Sequence, residues 1–335
     1  MKSQILFVAG LSMFAAAAAN AQGGSIQCGG ASVNERAAQD ACQQAYDVYQ
    51  FMSPQLGLAL AGGNATLGQG STLGGPGHFS IGVRVNGFNG SLPQVDKFQQ
   101  SYTGAVSRSL PTSDQWLGLP TADAAIGLFG GVPLPLTNVG GIDALVSGSY
   151  VPSFSNSSVS VTPSSNFQLG YGVRVGLLSE SIVVPGVSFT YLKRDLPTTA
   201  ILGVANAGSS TSGTLKIDNM KVKTTAWRVV ASKSFLLFSL AGGVGKDSYD
   251  QSADISATVS NVPVIGTATA AVPNAQQKLD RTNFFLDASL NLPLFKIVGE
   301  VGQASGGTVN TFNSFSNGRA DKAQQYFSLG VRFGI

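Results

Sequence analysis

Apolar and small polar residues alternate with a period of two through most of this chain. Beyond the N-terminus, no stretch strings together the ~18 apolar residues of a membrane-spanning helix. That combination leaves strands as the main building elements. The final segment is the clearest. Phe327, Leu329, Val331, Phe333 and Ile335 fall on one side, and Tyr326, Ser328, Gly330, Arg332 and Gly334 on the other. Successive side chains of a strand point to opposite faces, so this segment has one greasy face and one small, polar face.

The same alternation predicts strands around Phe79–Asn86, Asp123–Leu128, Ile142–Tyr150, Phe167–Val175, Val187–Tyr191, Trp227–Ser232, Phe238–Val244, Asn283–Asn291 and Phe295–Val301, ten with the last. The facing of Phe238, Leu240 and Val244 is left open, because that strand is apolar on both sides. Connectors alternate in length. Those near 93–120, 152–164, 195–212, 247–277 and 304–322 are long, and those near 132–138, 179–183, 233–234 and Pro293 are short. Residues 253–272 could form another hairpin, which would raise the count to twelve or fourteen.

Composition decides what covers the greasy face. Only 11% of residues are charged, 42 are glycine, and mean hydropathy is +0.18. A soluble secreted sandwich would bury its apolar faces and place charge on the others. Here the second face is mostly Gly, Ser, Asn and Gln, which suits a lumen better than a solvated surface. The expected fold is therefore all-β: a transmembrane, antiparallel, up-and-down β-barrel of ten strands over residues 78–335, with outer-membrane lipid around it. A net charge of +3, dispersed along the chain, gives no footprint for nucleic acid.

The N-terminus agrees with export. Lys2, an apolar run from Ile5 to Ala19, and Ala19-Asn20-Ala21 read as a Sec-type signal peptide over residues 1–21. No lipobox surrounds Cys28. Cys28 and Cys42 are the only cysteines, and in an oxidising space a disulfide is expected, with a stabilisation of ~3 kcal/mol in the chain-entropy account. Two cysteines and His78 make no metal site.

Residues 22–77 differ from the rest. Ser32 with Glu35 fits a capping box, and Val33, Ala37, Ala41, Ala45, Val48 and Met52 recur at helical spacing, which predicts a short helix over 33–52 stopped by Pro54. It is either a periplasmic helix or a plug inside the barrel. Residues 53–77, with one apolar piece at Leu56–Ala61, read as a linker or hatch.

With apolar residues facing lipid, the lumen receives Arg84, Arg174, Arg228, Lys296 and Arg332, opposed by Asp123, Asp143, Asp287 and Glu300. Charges in a narrow barrel must pair or line water. They are read as an ion-pair network or as a charged constriction. No catalytic set is expected. The sole histidine, His78, stands at the start of the first strand, and no G-x-S-x-G elbow occurs. Gly242–Lys246 is not a phosphate loop, since Leu240 stands where the first glycine is required and Asp247 where Ser or Thr is. No cofactor is expected. Phe79, Tyr150, Phe167, Tyr191, Trp227, Phe284, Phe295 and Phe333 lie near strand ends, as interfacial aromatics do.

Ser328-Leu329-Gly330-Val331-Arg332-Phe333-Gly334-Ile335 resembles the C-terminal signal by which bacterial outer-membrane barrels are recognised, with Ser328, Gly330, Phe333 and Ile335 at its constrained places and Ile for the common terminal Phe. Thr224–Lys246 looks like hairpins of uncharacterised outer-membrane barrel families. As a whole the chain resembles porin-like barrels and, loosely, FadL-type transporters of hydrophobic compounds. Residues 55–77 share the Gly/Asn character of the FadL-type hatch and lack its Asn-Pro-Ala element. The resemblance implies a bacterial outer-membrane location, dealings with the barrel-assembly machinery, and passage of a small or hydrophobic solute. The other readings are a filled barrel serving structure or surface interaction and, behind both, a barrel enzyme.

Overall fold

The computed structural model describes residues 24–206 and 212–334. The expected signal peptide and Ile335 lie outside the described residues. Ten strands form the wall: β1 (Phe79–Pro93), β2 (Thr112–Phe129), β3 (Ile142–Tyr150), β4 (Phe167–Leu178), β5 (Gly186–Asp195), β6 (Ser212–Ser234), β7 (Phe238–Val262), β8 (Gly266–Asn291), β9 (Lys296–Ala304) and β10 (Gln324–Gly334). Each pairs antiparallel with the next, and β10 returns to β1 through Ser80–Gly334 to Gly87–Phe327. The sheet closes on itself and leaves no edge at that level.

Side-chain facing follows the two-residue alternation. Ile81, Val83, Leu169, Tyr171, Leu286, Val301 and Leu329 are exposed on the outer face, while Arg84, Arg174, Asp287, Glu300 and Ser328 are buried inside. The strand whose facing was open resolves the same way, with Phe238, Leu240 and Val244 pointing out and Ser239 and Ala241 in. Aromatics gather in two belts, illustrated by Tyr150 on Phe167 (5.0 Å) at the upper level and Phe295 on Phe333 (5.8 Å) at the lower.

Two expectations need correction. Residues 247–277 are not a loop but the upper halves of β7 and β8, paired up to a turn at 263–265. The alternative hairpin therefore lengthens two existing strands and adds none. With β6, these strands of 23, 25 and 26 residues raise one side of the wall well above the other. Likewise, β2 begins at Thr112, inside the stretch read as the connector 93–120. Over the short strands β3–β5 the long connectors form a second tier. There Thr199–Asn206 pairs with upper β6, Val159–Pro163 with Thr199–Gly203, and Phe154–Ser155 with Val161 and Ser160.

The third correction concerns the helix. α1 (Val33–Ala61) begins with the expected Ser32/Glu35 capping box but runs through Pro54 instead of stopping there. Proline removes the N–H that would bond the carbonyl four residues back, which belongs to Gln50. The wall replaces it, because Gln277 Nε2 donates to Gln50 O at 3.1 Å, and Gln251 Nε2 caps Ser53 O nearby. Leu56–Ala61 is thus the last turn and a half of helix, not part of a linker.

α1 is not a helix beneath the barrel. It lies inside, packed on β6, β7 and β8, with Ala37, Ala41, Ala45 and Tyr49 buried in one cluster with Ile255, Ala257, Val259 and Ala270. Alanine and glycine allow the close approach: a Cβ on Gly57 would lie 2.6 Å from the Tyr249 ring. The helix enters from the long-loop end, where Asp40 and Asp47 meet residues 101–106 and 312–313. It descends as its sequence proceeds. Residues 62–77 continue down the lumen to His78, where β1 turns back up.

Candidate functional site

The lower lumen holds every sequence-predicted charged residue, and it brings most of them into pairs. Arg174 bonds Asp143 at 2.7 Å with both side chains fully buried. Arg84 and Arg194 share Asp123, each at 2.9 Å. Arg228 bonds Asp247 at 2.6 Å. Asp287 and Glu300 sit opposite one another on β8 and β9. They are held by the inner segment itself: Asn64 N donates to Glu300 at 2.8 Å, while Asn64 Nδ2 and Gly68 N donate to Asp287 at 3.0 and 2.9 Å. Ser328 Oγ donates to Glu300 at 3.1 Å.

The arginines reach inward as well. Arg228 donates to Ala61 O and Gly63 O, Arg84 to Asn64 O, Arg194 to Leu60 O, and Arg332 to Leu67 O and Gln69 Oε1. Leu73 N is held by Asp143. Burying an isolated charge is costly, so each pair and each backbone bond here offsets desolvation while fixing residues 60–73 to the wall. Gly63 takes φ +83°, a left-handed conformation that suits glycine, as the chain leaves the helix for these contacts. Lys296 stands apart. With Arg332 and Gln69 it lines an open vestibule of about 280 Å³ at the short-turn end.

Arg194, Asp247 and Asn64 escaped sequence reasoning. Arg194 lies beyond the expected end of β5 at Tyr191, and Asp247 lay in a stretch read as loop. Carrying the alternation three residues further would have placed both inside. Asn64 had no such signal, because its role arises from the path of the inner segment.

Above this network the lumen changes character. α1 presents Ala45, Val48 and Met52 toward a cleft of about 500 Å³, walled by Leu92, Val95, Ile201, Leu215 and Ile217, and rimmed by Gln94, Asp96, Ser113, Gln115 and Asn156. The cleft opens sideways. β2 pairs with β3 only from Thr121 downward, so Thr112–Pro120 has β1 on one side and no wall strand on the other. Gln115, which faces the interior by alternation, is exposed there. Phe154, on the outermost strand of the second tier, stands across the gap and is also exposed. Pro120 lies where β2 loses its second neighbour, a place that tolerates a residue without an N–H.

Two acids of α1 hold the loops over this end. Asp40 accepts from Ser101 N at 2.7 Å and Val106 N at 3.0 Å and pairs with Arg108. Asp47 accepts from Phe312 N, Asn313 N and Asn313 Nδ2. Burial raises the carboxyl pKa of Asp40 and pushes that of Asp47 up to about 6, against the lowering effect of the same amides. The disulfide Cys28–Cys42 ties the segment before α1 to its third turn. His78 is exposed at the opposite end, its Nδ1 3.3 Å from Gly75 O.

No protein-family model and no curated protein sequence matches the chain. Among solved structures it resembles outer-membrane β-barrels. One is the outer membrane protease OmpT of Escherichia coli, at 10% identity over 78% of this chain and 97% of that one, with TM-score 0.35. Another is the transport unit of the autotransporter AIDA-I of Escherichia coli, at 6% identity over 88% and 99%, with TM-score 0.31. A TodX deltaS2S3 mutant, a monoaromatic hydrocarbon channel, follows at 8% identity over 83% and 97%, with TM-score 0.28. The barrel rests on its own strand pairing, and likenesses this distant assign no residue and no activity.

Proposed function

We propose that this chain is a bacterial outer-membrane barrel whose lumen is sealed by its own N-terminal segment and whose working surface is the apolar cleft at the long-loop end, which takes up an uncharged lipophilic solute. The outer belt of aliphatic and aromatic side chains supports the membrane location, since exposed apolar area on that scale is otherwise an aggregation hazard. Export by the Sec route and assembly through Ser328, Gly330 and Phe333 belong to the same proposal.

The cleft carries the functional reading. Its volume falls in the range of small-molecule sites, its walls are largely aliphatic, and its rim offers neutral hydrogen-bonding groups with Asp96 as the single charged side chain. A sideways mouth suits a solute that partitions into lipid. The filled lower lumen favours this reading over a porin that passes ions continuously. It also supports a second one, a structural or surface-interaction barrel that needs no solute. Neither reading requires catalysis.

A binding titration separates them. Purified protein in detergent should enhance the fluorescence of N-phenyl-1-naphthylamine, an uncharged lipophilic probe, saturably. Ile201→Trp, which fills the cleft, should weaken that binding about tenfold or more, the equivalent of ~1.4 kcal/mol per decade, while leaving the barrel folded by circular dichroism. Equal binding by both proteins would exclude the cleft, and the absence of binding would favour the second reading.

A further inference from the structure

The four short connections of the barrel are conspicuously apolar at their tips. Val132, Leu134 and Leu136 stand exposed between β2 and β3, and Ile182 and Val183 between β4 and β5. Phe235, Leu236 and Leu237 follow between β6 and β7, and Leu292 and Leu294 between β8 and β9. Ile182 is 95% exposed, Leu236 94% and Leu294 81%. Turns that project into water ordinarily carry Gly, Asn, Asp and Ser.

The height of the greasy belt gives these tips a purpose. On the outer face, water begins at the exposed pair Lys246–Asp280, whose charged atoms lie 2.6 Å apart. Below that level β7 offers apolar surface only from Val244 to Phe238, and β8 only from Phe284 to Leu290. A tilted strand needs ~9–11 residues to cross the hydrocarbon layer. Both strands fall short, and the turns Phe235–Leu237 and Leu292–Leu294 supply the missing length.

The turns pair part of their own polar groups within the protein, which lowers the cost of contact with lipid. Each turn closes a backbone hydrogen bond across itself: Leu134 N to Thr137 O, Ser181 N to Val184 O, Phe235 N to Phe238 O, and Leu292 N to Phe295 O. Lys233, on the outer face, folds its ammonium onto the carbonyls of Ser181, Ile182 and Val184 in the neighbouring turn. Glu180 takes Ser234 N and Ser232 Oγ.

From this geometry we propose that the short turns are embedded in the membrane: the barrel sits low, and acyl chains of the adjacent leaflet cover the Val132–Leu136, Ile182–Val183, Phe235–Leu237 and Leu292–Leu294 tips. The inference rests on the membrane location proposed above and adds to it a depth and a lipid contact.

Depth-dependent quenching tests it in liposomes. In a Trp116→Phe, Trp227→Phe background, single tryptophans are placed by Leu236→Trp and Leu294→Trp at two turn tips, and by Leu286→Trp at mid-belt as a reference. In brominated phosphatidylcholine, both turn variants should lose most of their emission, as the mid-belt variant does, and should resist quenching by aqueous iodide. If iodide quenches the turn variants while brominated lipid quenches only the mid-belt one, the turns stand in water and the embedding is wrong, although the barrel remains in the membrane. If the turn variants answer to neither quencher, protein rather than lipid covers them, and the proposal again fails. If brominated lipid leaves the mid-belt variant unquenched, the membrane location itself falls.

Discussion

Arg174 and Asp143 show at the smallest scale what holds the inner segment in place. The pair is fully buried, and Asp143 also accepts Leu73 N. Asp143→Asn leaves a buried guanidinium without its counter-charge, a loss worth about 3–5 kcal/mol, whereas Asp143→Leu with Arg174→Met removes both charges and should cost much less. Urea unfolding of the refolded variants in detergent would show the ordering, and equal losses would contradict it. Asp47 gives a pH dependence of predictable sign. Its carboxyl titrates near 6 in the folded protein because of burial, above the ordinary 3.8. The folded state therefore binds the proton more tightly than the unfolded chain, so this group's destabilising effect is absent below the ordinary value and complete above about 6. Thermal melting should show its contribution to stability rising as pH falls from 7 to 4, and Asp47→Asn should lose that component.

At the scale of elements, α1 owes its length to the wall. A proline in the interior of a helix costs about 3 kcal/mol in isolation. Here Gln277 recovers the orphaned carbonyl of Gln50, and buried partners line the helix on both sides. The helix runs from the long-loop end downward, so residues 24–30 and β1 begin at opposite ends of the barrel. An epitope inserted after Ser25 should bind antibody on intact cells, while one inserted at Pro135 in the short connection should bind only after permeabilisation. The reverse result would invert the barrel. Reduction of Cys28–Cys42 should loosen this entry segment, since the bridge joins it to the third turn of α1.

For the molecule as a whole, the interior has two storeys: a polar one below, locked by residues 60–73, and an apolar one above, between α1 and the second tier of strands. The closed lower storey implies that the intact protein, refolded into a planar bilayer, shows no steady ion conductance. Discrete, long-lived conducting steps at neutral pH would show that the inner segment leaves the lumen and would restore the porin reading.

What the sequence determined alone was the wall. Two-residue alternation sorts side chains between lipid and lumen locally, residue by residue, so ten strands, the facing of all but the Phe238–Val244 strand, the belts of aromatics and the inward charges Arg84, Arg174, Arg228, Asp287 and Glu300 were legible without coordinates. The capping box of α1 was legible because near neighbours set it, and the Cys28–Cys42 bridge because the chain holds only these two cysteines. What only the tertiary structure decided depends on groups far apart in the chain. Pro54 reads as a stop until Gln277 stands beside it. Residues 247–277 read as a loop until β7 and β8 pair along them. Asn64 becomes an anchor only because the inner segment runs down the lumen past the Asp287–Glu300 pair. Periodicity reports which way a side chain faces, while its partner is chosen by how the closed cylinder is filled.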